Sequence, residues 1–396
     1  MVALPRITDD ERRRRIAVRH GLAARARFGS LDEAVRGLGA LHATDHATVH
    51  LTARARVDGY RPADLDDALG VRRSVVKQPA MRNTLFVAAR ERLPDLLGSA
   101  SARIAGPEER RLAKALLASG TTRDPAAWLT LTTQQVLDAL SEGPLSAPEL
   151  RAAVPTLDLR VNVAPGTRWG RDLPTAQYVL SVLCARGVLV RATGTGPWHR
   201  TRPTYAAAGP WWGDVPDPSP VADGYRALVG DWLSAFGPGR EDDLVWWLGS
   251  TRTAARAALA ALEAVEVALD DGSTAWVLPG DTGDTDAPGP WAALLPLLDP
   301  TTMGWRARAF YLSPKDVPYL VDSVGNASTT AWVDGRVVGC WVQEEDGRVR
   351  VVPRRTLTAH ESQLLDAEAE RLDAFLAGTV LGLTYNRPQS EGRRLP

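Results

Sequence analysis

Cysteine, lysine, methionine and net charge are what this 396-residue chain has least of, and each scarcity removes a class of protein. Cys184 and Cys340 stand alone with no C-x-x-C pair, which argues against a cysteine zinc finger or a disulfide framework and fits reduced thiols in a cytoplasmic setting. Balanced charge, 47 basic against 47 acidic residues, excludes a global basic excess as the source of any nucleic-acid affinity. A local basic surface stays open, because binding responds to the local field. No stretch approaches the apolar length of a membrane span, and the opening MVALPRITDDERRRR lacks the apolar centre of a signal peptide.

What is present is arginine and hydrophobic residues. Lysine occurs only at Lys77, Lys114 and Lys315, so nearly all cationic side chains are planar guanidinium forks. Such forks suit phosphate and guanine edges, although GC-rich codon usage produces the same bias. A hydrophobic content of 44% with 24% charged residues is ordinary for globular protein, and the length allows two to four domains.

The punctuation along the chain repeats. Residues 6–28 read as a helix with a capping-box-like start at Thr8–Glu11, followed by helices at 31–39 and 46–56 and another opening at Pro62. Two β-rich runs, Ser74–Lys77 and Asn83–Val87, then form a ribbon. The order recurs at 130–206: helix Thr133–Ser141, a short helix capped by Ser146 with Glu149 three residues on, and helix Pro174–Arg186. Strands Val188–Arg191 and Trp198–Tyr205 follow around a Gly-rich tip. A third copy spans 219–278, with Asp271-Gly272 as its hairpin turn. Helix, turn, helix, helix and ribbon is winged helix-turn-helix order. After a Pro/Gly-rich loop at 279–290, alternating strands around Asp334-Gly335 and Asp346-Gly347 predict an antiparallel β module closed by a helix over Leu357–Leu376. The expected fold class is therefore α+β. The expected domains are 1–129 (first winged-helix module with helical extension), 130–212 (second), 213–290 (third, with the loop) and 291–396 (β module with final helix).

Several residues stand out by type and place. His42, His46 and His50 share one face if the helix is continuous, which suits a polar DNA-facing stripe, a packing role or a metal face; no Glu or Cys sits at metalloprotease spacing, so no metal and no cofactor is expected. Arg82 and Asn83 open the second strand of the first ribbon, where a wing places Arg at phosphate or in the minor groove. Arg160, Arg168 and Arg171 precede the third helix of the middle module, and Arg200 and Arg202 lie on its wing, positions suited to backbone contacts. Trp305 beside Arg306 suits either stacking at a distorted base or core packing, and Trp211-Trp212 and Trp246-Trp247 read as packing pairs.

Four stretches together resemble the winged-helix family of crosslink-repair and bulky-adduct DNA glycosylases: LGALHATD at 38–45, AMRNTL at 80–85, LLPLLDPTTMGWRARAFYL at 294–312 and GNASTTAWVDGRVVG at 325–339. The resemblance covers nearly the whole chain. It implies three tandem winged helices in a C-shaped array with a C-terminal β module, and a monomer that binds double-stranded DNA carrying alkylated purines. It also implies hydrolysis of the N-glycosidic bond of those purines, bulky adducts or interstrand crosslinks among them, and some relatives look like self-resistance factors in antibiotic producers. The family's catalytic Gln-x-Gln (or Gln-x-Asp) falls on His42 and Thr44. His42 can orient a water and accept its proton, Thr44 can hold the water, and Asp45 either adds negative charge or caps the helix after it. Because neither motif position is Gln or Asp, a non-catalytic winged-helix DNA binder, a regulator or damage sensor, is the competing expectation.

Overall fold

The computed structural model describes residues 4–162 and 171–382. It is a mixed α+β protein with small, mainly antiparallel sheets. The chain forms two compact units, residues 1–65 with 225–396, and residues 66–224.

In the first unit the largest sheet is antiparallel, in the order Ala292–Leu295, Thr330–Val333, Arg336–Gln343, Val349–Pro353. Asp334 and Gly335 both take left-handed backbone (φ 46° and 79°), as a two-residue hairpin turn that matches strand twist requires. Gly335 has a second reason to lack a side chain: a Cβ there would stand 2.5 Å from Cβ of Arg13. Trp332 and Trp341 are fully buried, and the Trp341 indole donates to the Leu295 carbonyl at 2.8 Å, so each contributes on the order of 4–6 kcal/mol of apolar burial without stranding a polar atom. Helix Ala359–Leu376, started by a Thr358–Glu361 capping box, packs across three of the four strands. Strand Ala292–Leu295 falls within a stretch whose strand character the alternation does not reveal, since all four of its residues are buried.

The expected first helix is shorter than residues 6–28. Arg6–Ile7 is extended and pairs in parallel with Val265–Leu269, and the helix runs over Asp9–Arg19. Ile7 belongs to the small core of that sheet, and Thr8 in extended backbone then accepts the Glu11 N–H. The Glu11 carboxylate turns instead to Arg15 and Thr285. Residues 279–290 are held to this helix: Arg15 donates to the Gly283 carbonyl at 2.8 Å and Arg19 to Asp281 at 2.6 Å.

In the second unit a hairpin, Val75–Pro79 with Leu85–Ala89, precedes helices Leu93–Gly98, Ala102–Ala118 and Pro125–Ala139. Strand Leu145–Ser146, helix Ala147–Ala153, helix Ala176–Ala185 and strands Leu189–Arg191 and Thr204–Ala207 follow, the last pairing with both other strands. Ser146 and Glu149 form the reciprocal capping box their spacing predicts. Leu116, Val136, Leu150, Leu157, Val179 and Val182, all fully buried, fill the core between these helices. Among the described residues no helix is long and apolar enough to cross a membrane.

Candidate active site

The motif segment is short and extended and runs into a helix. Leu41–His42 is a two-residue strand, and Asp45, also extended, is the N-cap of helix His46–Arg56. His42 is buried at 7% exposure, while Thr44 is exposed. Asp45 caps this helix: its Oδ1 accepts the N–H groups of Ala47 at 3.0 Å and Thr48 at 3.1 Å. The Thr48 hydroxyl donates to the Leu297 carbonyl at 3.1 Å, so the first helical turn is tied to the Leu297-Leu298-Asp299 segment.

Two turns further along, that segment grips the helix from inside. Arg56 and Asp299 are both fully buried and pair in a fork, Nη2 to Oδ1 at 2.6 Å and Nη1 to Oδ2 at 2.9 Å. Asp299 also accepts the Thr52 hydroxyl at 3.1 Å and the Thr301 N–H at 2.9 Å. Asp299 thus accepts four hydrogen bonds, two of them from a guanidinium, which is what makes a buried carboxylate tenable, although Nε of Arg56 stays buried without a partner among the described residues. The Thr301 hydroxyl oxygen accepts from Arg56 at 2.7 Å, and its proton goes to Nδ1 of His20 at 2.9 Å, because Nε2–H of His20 is committed to the Ala235 carbonyl. Burial, with the Arg56 charge beside it, pushes His20 down to about 3, so the ring is a neutral link. Leu298, just before Asp299, takes left-handed backbone at φ 57°, a conformation that L side chains adopt only when their surroundings over-determine it. The Asp299-Pro300 dipeptide marks this segment in the sequence, but nothing there pointed to Arg56 or His20 as its partners.

The three-histidine stripe divides. His50 is buried with Nδ1 on the Tyr60 hydroxyl at 2.8 Å, and His46 is half-buried. Among the described residues no three His, Cys, Asp or Glu side chains are placed to share a metal ion.

The arginine candidates behave unevenly. In the first unit Trp305 is 2% exposed and sits among Phe236, Trp232, Phe310, Tyr311 and His20, so it has no free face for a base and its role is packing. Arg306 beside it is exposed, while its backbone N–H, with that of Ala307, donates to buried Asp243 at 2.8 and 2.9 Å. Burial pushes the Asp243 carboxyl up, against the pull of those hydrogen bonds and of Arg12. In the second unit Arg82 and Asn83 lie in the hairpin turn rather than on its second strand, with φ of 53° and 58°. The turn between Pro79 and Leu85 needs left-handed residues, which Asn tolerates. Arg82 is half-buried and Asn83 exposed. Arg200 and Arg202 are exposed on the second hairpin, where the Arg202 backbone exchanges hydrogen bonds of 2.8 and 2.9 Å with Thr195. A Cβ on Gly194 would meet the Arg202 carbonyl at 2.5 Å, so the hairpin closes this tightly only around glycine. Arg171 is exposed and Arg160 donates to the Asp172 carbonyl; Arg168 lies outside the described residues.

Residues 35–375 match the protein-family profile described as DNA glycosylase AlkZ-like. Among solved structures, the Streptomyces sahachiroi DNA glycosylase AlkZ superposes with a TM-score of 0.71 at 19% identity, over 94% of this chain and 97% of that one. No curated protein sequence matches the chain.

Proposed function

The chain belongs to the AlkZ-like DNA glycosylase family, and from that membership we propose that it is a monofunctional glycosylase releasing alkylated purines, bulky adducts or crosslinked bases among them, from duplex DNA. In the proposed reaction a water oxygen bonds to C1′ as the C1′–N bond breaks. The bonding pair leaves with the cationic base, which departs neutral, and the water's proton passes to His42. An alkylated purine is already a good leaving group, so orienting one water and stabilising the sugar's developing positive charge carry most of the reaction. The lysine nearest in sequence to the motif is Lys77, more than thirty residues beyond it, which supports hydrolysis over Schiff-base chemistry.

The observation that carries this reading is the fixed entry of helix His46–Arg56. Asp45 caps it, and Thr48, Thr52 and Arg56 are bonded to the Leu297–Asp299 segment, so His42 and Thr44 sit at the mouth of a rigid element. Placement of that kind is what water-directed chemistry needs. For the second unit, the helix, strand, helix, helix and hairpin order over residues 125–207 supports a winged-helix reading, with Arg200 and Arg202 meeting backbone phosphate. Equivalent modules over residues 1–129 and 213–290 complete the proposed tandem.

The test is duplex carrying N7-alkylguanine, scored for alkali-labile abasic sites. Wild type releases base, and His42→Ala loses about 10²–10⁴-fold in single-turnover rate with duplex affinity retained. Wild-type binding without release would favour the non-catalytic DNA binder that the replacement of Gln-x-Gln by His42-Ala43-Thr44 also suggests.

A further inference from the structure

A pocket of about 370 Å³ in the first unit lies well along the chain from the motif segment and plays no part in the proposed reaction. It is lined by Lys315, Arg336, Arg354 and Arg355, with Asp316 as its one carboxylate, over a floor of Tyr311, Val337 and Val338. Its frame is rigid. Val337 N–H donates to the Tyr311 carbonyl at 2.8 Å and Arg354 N–H to the Val338 carbonyl at 2.8 Å, so three chain segments are stitched together around the opening.

The four cations are not equally committed. Arg354 stacks over the Tyr319 ring at 3.8 Å and donates to Asp316 at 3.2 Å, and Arg355 is held in a fork by Glu361 at 2.6 and 3.0 Å. Arg336 and Lys315 are exposed, and among the described residues neither has a carboxylate partner. Arg336 follows Gly335, where the backbone runs so close to Arg13 that a Cβ would not fit. Partial burial and the neighbouring charges of Arg13 and Arg355 all disfavour its protonated form, and only Asp9 and Asp10 oppose them. Surplus positive charge around a bounded concavity, with two donors uncommitted, is the arrangement that receives a tetrahedral oxyanion.

We propose that this pocket is a phosphate-binding site in which Arg336 and Lys315 take the anion, while Arg354 and Arg355, each matched to a carboxylate, form its fixed walls. The phosphate comes either from a DNA strand or from a free phosphate or nucleotide, and two arms of one experiment separate these sources. In the first, inorganic phosphate and pyrophosphate are titrated into wild type and into the Lys315→Ala/Arg336→Ala double variant by calorimetry. In the second, binding of an undamaged duplex is followed between about 50 and 200 mM salt, where each phosphate neutralised contributes about 0.9 to the slope of log K against log salt. A free-phosphate site shows heat of binding in wild type that the double variant loses; a DNA-phosphate site shows a slope shallower by about 1 in the variant, and Arg336→Lys keeps most of either effect. Both alanines replace exposed side chains, so an unchanged urea midpoint verifies the fold. Identical behaviour of variant and wild type in both arms overturns the site. Wild type that binds no duplex at all would sink the glycosylase reading instead, and leaves the phosphate arm to decide the pocket.

Discussion

Replacing Asp299 by Asn tests whether the buried network, rather than the local helix sequence, sets the position of the motif segment. The amide keeps the shape of the carboxylate but brings a donor group and no charge to a site where Arg56 donates twice, Thr52 once and Thr301 once. Arg56 is fully buried, so the change leaves an uncompensated guanidinium out of water. Breaking such a pair typically destabilises by about 3–5 kcal/mol. For a unit of this size that lowers Tm by on the order of 10 °C. Equilibrium urea unfolding followed by tryptophan fluorescence measures it, since Trp305 stacks on His20 within the same cluster. The pair variant Arg56→Met/Asp299→Leu removes both charges while keeping volume, and it should recover half or more of the loss, because the penalty belongs to the stranded charge. Base release measured well below the midpoint then falls in Asp299→Asn with duplex affinity nearly unchanged, as the segment bearing His42 and Thr44 loosens. A loss below about 1 kcal/mol, or a double variant no better than the single, refutes the account of the network.

Two further outcomes follow from the same geometry. Asp45→Ala removes the acceptor of two helix N–H groups and should cost about 1 kcal/mol in urea unfolding, with Asp45→Ser recovering most of it. His20 stays neutral in the folded chain down to about pH 3 but takes a proton near pH 6.5 when unfolded, so the unfolded state binds more protons between those values and stability falls as pH drops through that window. Lowering pH from 7.5 to 5 should therefore remove about 2 kcal/mol, at 1.36 kcal/mol per pH unit below 6.5, and His20→Asn should flatten that dependence.

How legible each part was depended on the range of the interaction behind it. The helix His46–Arg56 matches its expected bounds, and the closing helix expected over Leu357–Leu376 runs Ala359–Leu376, because caps, periodicity and turn residues act over a few positions. Asp45 was read as a possible cap for the same reason. Ile7 misled because its partner, Leu269, lies far along the chain. Arg82 and Asn83 were placed on a strand because a turn needing left-handed backbone leaves only a weak mark when Gly is absent from it.

The chain's own order of residues thus determined its mixed class, the caps and turns of several elements and the family motif at 38–45, the caps and turns as consequences of local stereochemistry; the start of helix Pro125–Ala139 and the whole of Ala102–Ala118 lay outside the expected helix bounds. Tertiary structure alone decided that Trp305 is interior, that Asp299 meets Arg56, and that Arg336 and Lys315 face a common hollow. Those pairings join residues distant in sequence, and whether a charge is sealed in, matched or left facing water depends on what the folded chain brings against it.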